Sequence, residues 1–319
     1  MARVVVSIVN HNGREHLLAC LDSVSGFDAE VVVLDNASDD GSRDAVRDRH
    51  PEIRVIAQPF RAGFGANHNV VLRSTTSEYV LALNPDTEVE HGALDELVAY
   101  LEANPRVAVA GPLIRDFHGR QQGSAWRLMT IPVQLVWALT LGQRGAVVSR
   151  GATPKRVDAV SASAALYRRR ALDEAGGFDE AYFMFGEEAD LARRLSRLGY
   201  ETHWVPTAEI LHHGQASTAH VPERQINEFW RSLDVYLGRY HSASSARALC
   251  WLTGLGYALA VVATGIADRL PSRLRPRAAG SRNSATDRLH VRNAFRGNRD
   301  PGLRELAEDW NRAHRGSAA

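Results

Sequence analysis

Cysteine is scarce: two residues, Cys20 and Cys250, in a chain of 319. They are far apart and match no metal-ligand spacing, which excludes a zinc module and a disulfide framework and fits a reducing compartment. Charge of one sign is also lacking, since 38 basic side chains against 37 acidic ones leave a formal net charge of +1. That balance gives no reason to expect nucleic acid as a partner. Repeats and low-complexity tracts are absent. The opening "MARVVVSIVNHNG" has an apolar run too short for a secretory leader and reads as a first strand, so the protein is expected to begin and stay in the cytosol. The G-x-G-x-x-G fingerprint of a nicotinamide-binding domain is missing as well. The first strand leads into "VNHNGREH", and the only close glycine pair, Gly63 and Gly65, follows the third strand.

What is present is ordinary globular composition, 45% hydrophobic and 24% charged, enough for one large core or a core with an appendage. Short β-branched runs at 4–9, 30–34, 53–57 and 79–83 alternate with helical patterns at 15–24, 42–49, 65–73 and 92–103. This βαβ series predicts an α/β fold with a mostly parallel central sheet and helices on both faces. Further strands are expected at 107–114, 157–167 and 201–205, with a helix over 187–198 between the last two. Beyond about Glu223 the pattern changes to helices, an uncharged run and an irregular Arg/Ser/Pro-rich tail over 271–298.

In parallel sheets ligands bind beyond the carboxyl ends of the strands. The polar residues there are Asn10-His11-Asn12, Asp35-Asn36-Ala37-Ser38 and Asn84-Pro85-Asp86. Further along, "FMFGEEADLARRL" crowds Glu187, Glu188 and Asp190 into four residues. One reading is a helix start: Gly186 at the cap, acids in the first turn, and Asp190 pairing with Arg193 or Arg194. The other is an active site, where crowded carboxylates raise one another's pKa.

Six blocks decide between them: "VSIVNHN", "VVVLDNASDDGS", "RAGFGANHN", "LALNPDTEV", "GGFDEAYFMFGEEADLARRL" and "VPTAEILHHGQAS". In this order they resemble the family 2 glycosyltransferases of GT-A fold, in particular the bacterial rhamnosyltransferase-like branch, over about residues 3–240. The resemblance implies a nucleotide-diphosphate sugar donor, a divalent cation (Mg²⁺ or Mn²⁺) on its diphosphate, and a carboxylate that takes the acceptor hydroxyl's proton. Asp35 matches the nucleotide-contacting Asp, with Val9 and Asn10 lining the same pocket. Gly63 and Asn69 are implied donor contacts, although Arg61 stands where the family has Asn. "NPD" occupies the D-x-D position, with Asn84 in place of the first Asp. Asp86 is then the leading metal ligand, and His212, ahead of Ser217, completes the site, with His213 as rival. In the family the acidic block reads Glu-Asp-x-Asp-Leu with the second acid as base. Here that position is Glu188, with Glu187 beside it and Asp190 as the substitute.

The uncharged run 248–267 is long enough to span about 30 Å of bilayer. A single crossing would put the Arg-rich tail outside, against the positive-inside tendency, so a helix or hairpin in the interface, or one buried against the domain, is expected instead. The stretch 128–142 is too short to cross and offers either a second lipid-facing surface or ordinary core. The expected division is a catalytic domain at 1–240 and a helical, partly membrane-associated region at 241–319. The implied activity is inverting transfer at the inner membrane face to a lipid-linked saccharide in envelope polysaccharide synthesis, with rhamnose from dTDP-rhamnose as donor. The alternatives are another donor (galactofuranose, glucose or mannose) or a nucleotide-sugar-binding protein that has lost catalysis.

Overall fold

Apolar runs buried on both faces at 4–10, over most of 29–36 and at 79–83, with a more exposed one at 54–58, start the fold. In the computed structural model they form β1 (Val4–Asn10), β2 (Ala29–Asn36), β3 (Arg54–Gln58) and β4 (Tyr79–Leu83), interleaved with α1 (Arg14–Val24), α2 (Ser42–Arg49) and α3 (Phe64–Ser74). The structure describes residues 2–140, 146–214, 221–268, 284–297 and 300–314. The chain continues through β5 (Thr87–Val89), α4 (Ala93–Ala103), β6 (Val107–Arg115), β7 (Ala125–Trp126), α5 (Ile131–Leu139), β8 (Lys155–Val157) and β9 (Ala159–Val160). Then come β10 (Ala164–Arg168), α6 (Arg169–Ala175), α7 (Glu187–Arg197), β11 (Glu201–His212), α8 (Pro222–Tyr240), α9 (Ala243–Asp268), α10 (Ser284–Arg296) and α11 (Leu303–Ala313).

The main sheet runs β3-β2-β1-β4-β10-β6-β11-β5, with β8 added on β11, and β7 pairs with β9 in a small second sheet. β1 to β4 are mutually parallel, β10 is antiparallel to both β4 and β6, and β6 is parallel to β11. The carboxyl ends of β1, β2, β3, β4 and β11 therefore share one edge. One face is covered by α1, α2 and α4 through Leu17, Leu21, Val46, Leu97 and Leu101. The other is covered by α3, α6 and α7 through Val71, Leu172, Leu191 and Leu195, together with Trp204 of β11.

Three expectations change. The single strand over 157–167 is three strands with three sets of partners, β8 on β11, β9 on β7, and β10 between β4 and β6. The strand expected to stop at 205 runs on to His212, passing Pro206 through an irregularity between Val205 and Glu209. Proline cannot donate to a ladder, and pairing resumes once the chain has bulged past it. Within the tail expected to be irregular, 284–296 form α10; residues 271–283 and 298 lie outside the described residues.

The chain forms two compact units. The first holds residues 1–126, 148–220 and 304–319, so that α11 belongs with the sheet. The second holds 127–147 and 221–303. Inside this second unit the run 248–267 is one helix rather than a hairpin, with α5 and α10 packed along α9. A Cβ on Gly256 would lie 2.5 Å from the Trp137 ring, Gln134 Nε2 donates to Thr253 Oγ1 at 2.8 Å, and Tyr257 stacks on His290 at 4.0 Å. α9 is long and apolar enough to cross a membrane, and a third of it is buried.

Candidate active site

At the shared edge, β1 and β2 end side by side, with Asn10 in register with Asp35. Asp35 is buried; its Oδ1 accepts from Asn10 Nδ2 at 3.5 Å, its Oδ2 accepts from Ser38 N–H at 3.2 Å, and Arg43 lies 3.5 Å from the same oxygen. Asn10 Nδ2 also donates to Ser38 Oγ at 3.2 Å, while Asn10 Oδ1 is buried with no hydrogen-bond partner among the described residues. An unpaired buried acceptor costs about 1–3 kcal/mol, which a ligand N–H would recover. Val9 packs on the core behind this pocket. His11 Nδ1 reaches Asn36 O at 3.0 Å, and burial, then the Arg61 charge, push its pKa below the ordinary value.

Gly63 precedes α3 and Asn69 lies within it, and both meet the chain that leads to α7. A Cβ on Gly63 would sit 2.6 Å from Phe183 O, so only glycine lets these two backbones touch, and Phe64 N–H donates to that same oxygen at 2.8 Å. Asn69 is occupied on both ends of its amide: it donates to Phe178 O at 2.8 Å and Glu180 Oε1 at 3.0 Å and accepts from Phe178 N–H at 2.9 Å. It clamps the 177–180 loop, whereas the resemblance placed it on the donor.

Beyond β4, the "NPD" turn is pinned through Asn84, whose N–H donates to Ser163 O at 2.8 Å and whose carbonyl accepts from Thr87 Oγ1 at 2.7 Å. Asp86 is buried, and His212 Nε2 lies 3.4 Å from its Oδ1. The other side of that imidazole is set by Gln122. Gln122 Nε2 donates to His212 O at 2.8 Å, which turns its Oε1 toward His212 Nδ1 at 3.0 Å. An amide oxygen only accepts, so Nδ1 carries a proton and, in the neutral imidazole that can bind a metal, Nε2 presents a lone pair to the carboxylate. Nε2 is buried without a hydrogen-bond partner. A lone pair facing a carboxylate in a buried site repels it, and a cation between them removes the conflict, so these residues fit a divalent metal. Among the described residues no group of three or more His, Cys, Asp and Glu side chains gathers. Two protein ligands suffice for a hard ion whose shell is completed by phosphate and water. The rival His213 turns elsewhere, 3.6 Å from Glu88 and stacked on Phe117 at 3.5 Å. Ser217 lies outside the described residues.

α7 opens at Gly186 (φ 86°), preceded by Phe185 in the same left-handed region (φ 70°). Glu188 bends back so that its Oε2 accepts from Gly186 N–H at 3.1 Å, and its side chain keeps some exposure. Glu187 is buried with Oε2 unpartnered. Burial, and then the Glu188 charge, push Glu187 well above the usual carboxylate range; burial also raises Glu188, opposed by backbone N–H groups. Asp190 differs. It has no exposed surface, accepts from Arg194 Nε at 2.7 Å and lies 3.5 Å from the Tyr182 hydroxyl, while Arg194 also donates to the carbonyls of Ala175 and Gly177. The three acids thus differ within one helix: Asp190 is paired with Arg194, Glu188 is bonded to the Gly186 N–H, and Glu187 keeps an unpartnered oxygen.

The non-glycine residues with positive φ among the described residues are Asn12, Ala37 and Phe185, which follow β1, follow β2 and precede α7. Strain of this kind gathers at functional sites.

Residues 5–176 match glycosyl transferase family 2. Over 258 residues the chain is 30% identical to the N-acetylglucosaminyl-diphospho-decaprenol L-rhamnosyltransferase of Mycobacterium tuberculosis, covering 74% of this chain and 83% of that protein. It is 24% identical over 261 residues to the rhamnosyltransferase WbbL of Escherichia coli, covering 74% and 93%. Among solved structures, the mannosyltransferase PcManGT from Pyrobaculum calidifontis, in complex with GDP-Man and Mn²⁺, aligns at a TM-score of 0.61 and 21% identity over 92% of this chain and 87% of that one, a likeness of fold. With more than half of its length matched to the family, and a relative at 30% identity spanned over most of its own length, this chain belongs to glycosyl transferase family 2 and is a glycosyltransferase of GT-A fold.

Proposed function

We propose that this glycosyltransferase moves rhamnose from dTDP-rhamnose to a lipid-linked saccharide at the cytoplasmic face of a membrane, inverting the anomeric carbon. The observation that carries the catalytic part is the buried Asp86–His212 pair with its unpartnered Nε2, on the same sheet edge as Asp35. The choice of donor and acceptor draws on the mycobacterial relative, whose name specifies L-rhamnose and a decaprenol-linked N-acetylglucosamine.

In this reading Asp35, Asn10 and Val9 hold the nucleotide, with Gly63 and Asn84 shaping the floor toward the sugar. Asp86 and His212 would hold Mg²⁺ or Mn²⁺, which when bound supplies positive charge to the leaving diphosphate. Glu188 takes the proton of the acceptor hydroxyl. That oxygen then bonds to the anomeric carbon from the face opposite the nucleotide, while the bond to the β-phosphate oxygen breaks and its electron pair leaves on the nucleoside diphosphate. Burial makes Glu188 a stronger base than a solvated carboxylate, and the Gly186 N–H keeps part of it ionised. Glu187, more deeply buried, holds a proton in preference to a second adjacent charge.

Lipid contact falls to the second unit. α9 exposes Trp251, Leu255, Leu259, Val262 and Ile266, a stripe at helical spacing, and α5 exposes Ile131, Leu135 and Leu139. Such a face suits an interfacial helix pair better than a lone crossing, because the rest of α9 is packed on α5 and α10.

The test is transfer by the full chain to prenyl-diphosphate-linked N-acetylglucosamine, with dTDP-rhamnose, UDP-galactofuranose, UDP-glucose and GDP-mannose offered separately and Mn²⁺ present. Product from dTDP-rhamnose alone is expected. Preference for another donor, or no transfer with any, rejects the reading.

A further inference from the structure

α11 comes some 250 residues after the loop that follows β3, yet it grips that loop by its backbone. Asn311 Oδ1 accepts from Arg61 N–H at 2.7 Å, and Asn311 Nδ2 donates to Arg61 O at 2.9 Å, so one side-chain amide pairs with both polar groups of a single residue. The next residue is held the same way from the pocket side: Ala62 N–H donates to Asn36 Oδ1 at 2.8 Å, and Ala62 O accepts from Asn36 Nδ2 at 3.1 Å. Asn36 directly follows Asp35, and its carbonyl is the partner of His11. The Arg61 guanidinium lies over the Trp310 ring, 4.2 Å from its centroid, with its Nε buried and unpartnered among the described residues and its terminal nitrogen 3.5 Å from Asp39. One helical end therefore fixes both the path and the side chain of the loop that borders Asp35.

The other end of α11 reaches the second loop. Arg304 donates to Ala181 O at 2.6 Å and stands 6.0 Å from the Phe183 ring. Phe183 is the residue whose backbone touches Gly63 and leads into the carboxylates of α7.

We propose that α11 is a clasp that sets the nucleotide pocket, with Asn311 a positioning residue for donor binding; this rests on the reading that the loops after β1, β2 and β3 hold the nucleoside diphosphate. Among the described residues the Asn311 side chain bonds only to the Arg61 backbone, so its loss loosens the loop without removing a ligand contact. A purely structural bond would change melting alone, whereas a positioning bond changes affinity at temperatures where the protein is fully folded.

The experiment is calorimetric titration of wild type and Asn311→Ala with dTDP and with UDP in the presence of Mn²⁺, at 20 °C, together with kcat and KM for the donor. The expected result is a dissociation constant and KM raised about tenfold, equivalent to about 1.4 kcal/mol, with kcat at saturating donor within about twofold of wild type. An unchanged dissociation constant, even with a lowered melting temperature, overturns the clasp. Wild type that binds neither diphosphate overturns the functional reading beneath it. Should Asn311→Ala fail to fold, hydrogen exchange on wild type decides: saturating nucleotide must slow amides in 304–313 as well as in 61–63, because coupling between binding and clasp is reciprocal. Exchange in 304–313 that is indifferent to nucleotide overturns the proposal.

Discussion

Neutralising the acidic residues of α7 one at a time separates chemistry from architecture. Asp190 has no exposed surface and bonds Arg194 at 2.7 Å, and the Arg194 side chain is 22% exposed. Removing one partner of a buried pair costs about 3–5 kcal/mol, because the remaining charge is left unpaired. Asn keeps an acceptor for Nε and Arg194 retains some solvent, which brings the expectation for Asp190→Asn to about 2–3 kcal/mol. At roughly 2–4 °C per kcal/mol for a domain of this size, melting should fall by about 4–12 °C, with turnover of the folded enzyme within about threefold of wild type. Glu188→Gln makes the opposite pattern. The Gly186 N–H still finds an oxygen and no ion pair is broken, so stability should move by less than about 1 kcal/mol, while turnover falls by roughly 10²- to 10⁴-fold for want of a proton acceptor. Scanning calorimetry and nucleoside diphosphate release, measured on both variants from one preparation series, give the comparison. A folded but inactive Asp190→Asn beside an active Glu188→Gln would refute the assignment of the base and make the Asp190–Arg194 pair the catalytic one.

Glu187 makes a pH prediction. Its folded pKa lies above the ordinary 4.5, so the folded state binds more protons than the unfolded chain between that value and the raised one. Stability then declines as pH rises through this window, and Glu187→Gln should lessen the decline, leaving the part due to the raised Glu188, so that the variant matches wild type near pH 4 and exceeds it at pH 8 in urea titrations. For the metal site, Asp86→Ala and His212→Ala should each remove most transfer. Gln122→Ala should raise the Mn²⁺ concentration for half-maximal activity about 10- to 100-fold by freeing the imidazole to turn; an unshifted Mn²⁺ curve would remove Gln122 from the site. On the second unit, Trp251→Asp combined with Val262→Asp should abolish flotation with anionic liposomes and leave dTDP binding by the first unit unchanged, and flotation that persists would argue against the α9 stripe.

The βα alternation was legible because β1, β4 and most of β2 are buried on both faces, so their residues are continuously apolar and bounded by polar turns, while the edge strand β3 showed through its β-branched pair Val55-Ile56. Asp35, Asp86 and the α7 acids were legible for a related reason: charge directly after a buried strand, or crowded at a helix start, has few structural uses. The phase of the histidines was not. His212 and His213 are adjacent on an extended chain and point to opposite sides, and only the pairing of β11 with β5 turns His212 to Asp86 and His213 to Glu88. Gln122 stands 90 residues before His212 in an irregular segment, and its neighbours "GRQQGS" carry no pattern that would aim it at an imidazole. Asn69 is read as a donor contact from its place in "RAGFGANHN"; its second use, holding the 177–180 loop with both N–H groups and one oxygen lone pair, was not legible because Phe178 and Glu180 lie more than 100 residues away. α11 escaped notice because nothing in "LRELAEDWNRA" signals docking to a loop some 250 residues earlier.

Free energy lost at the chemistry is recovered one residue away from it. Phe185 in the left-handed region costs on the order of 1–3 kcal/mol, and Glu187 is buried with an oxygen unbonded beside a second acid. Neither survives unless the surrounding chain is over-determined. The segment 177–186 is held by Asn69 at its start, by Arg304 at Ala181, by Gly63 and Phe64 on the Phe183 backbone, and by Asp190–Arg194 behind it through the Gly177 carbonyl. Each bond contributes about 0.5–1.5 kcal/mol net, and more where a charge is involved, so together they offset the strain they surround. The residues that do the holding have their polar groups turned inward, whereas Glu187 is left with an unpartnered carboxyl oxygen. That contrast, more than the acidity of the block, separates Asp190 from Glu187. It also implies that Glu187→Gln will stabilise the fold at neutral pH, because the amide removes a carboxyl whose ionisation burial opposes.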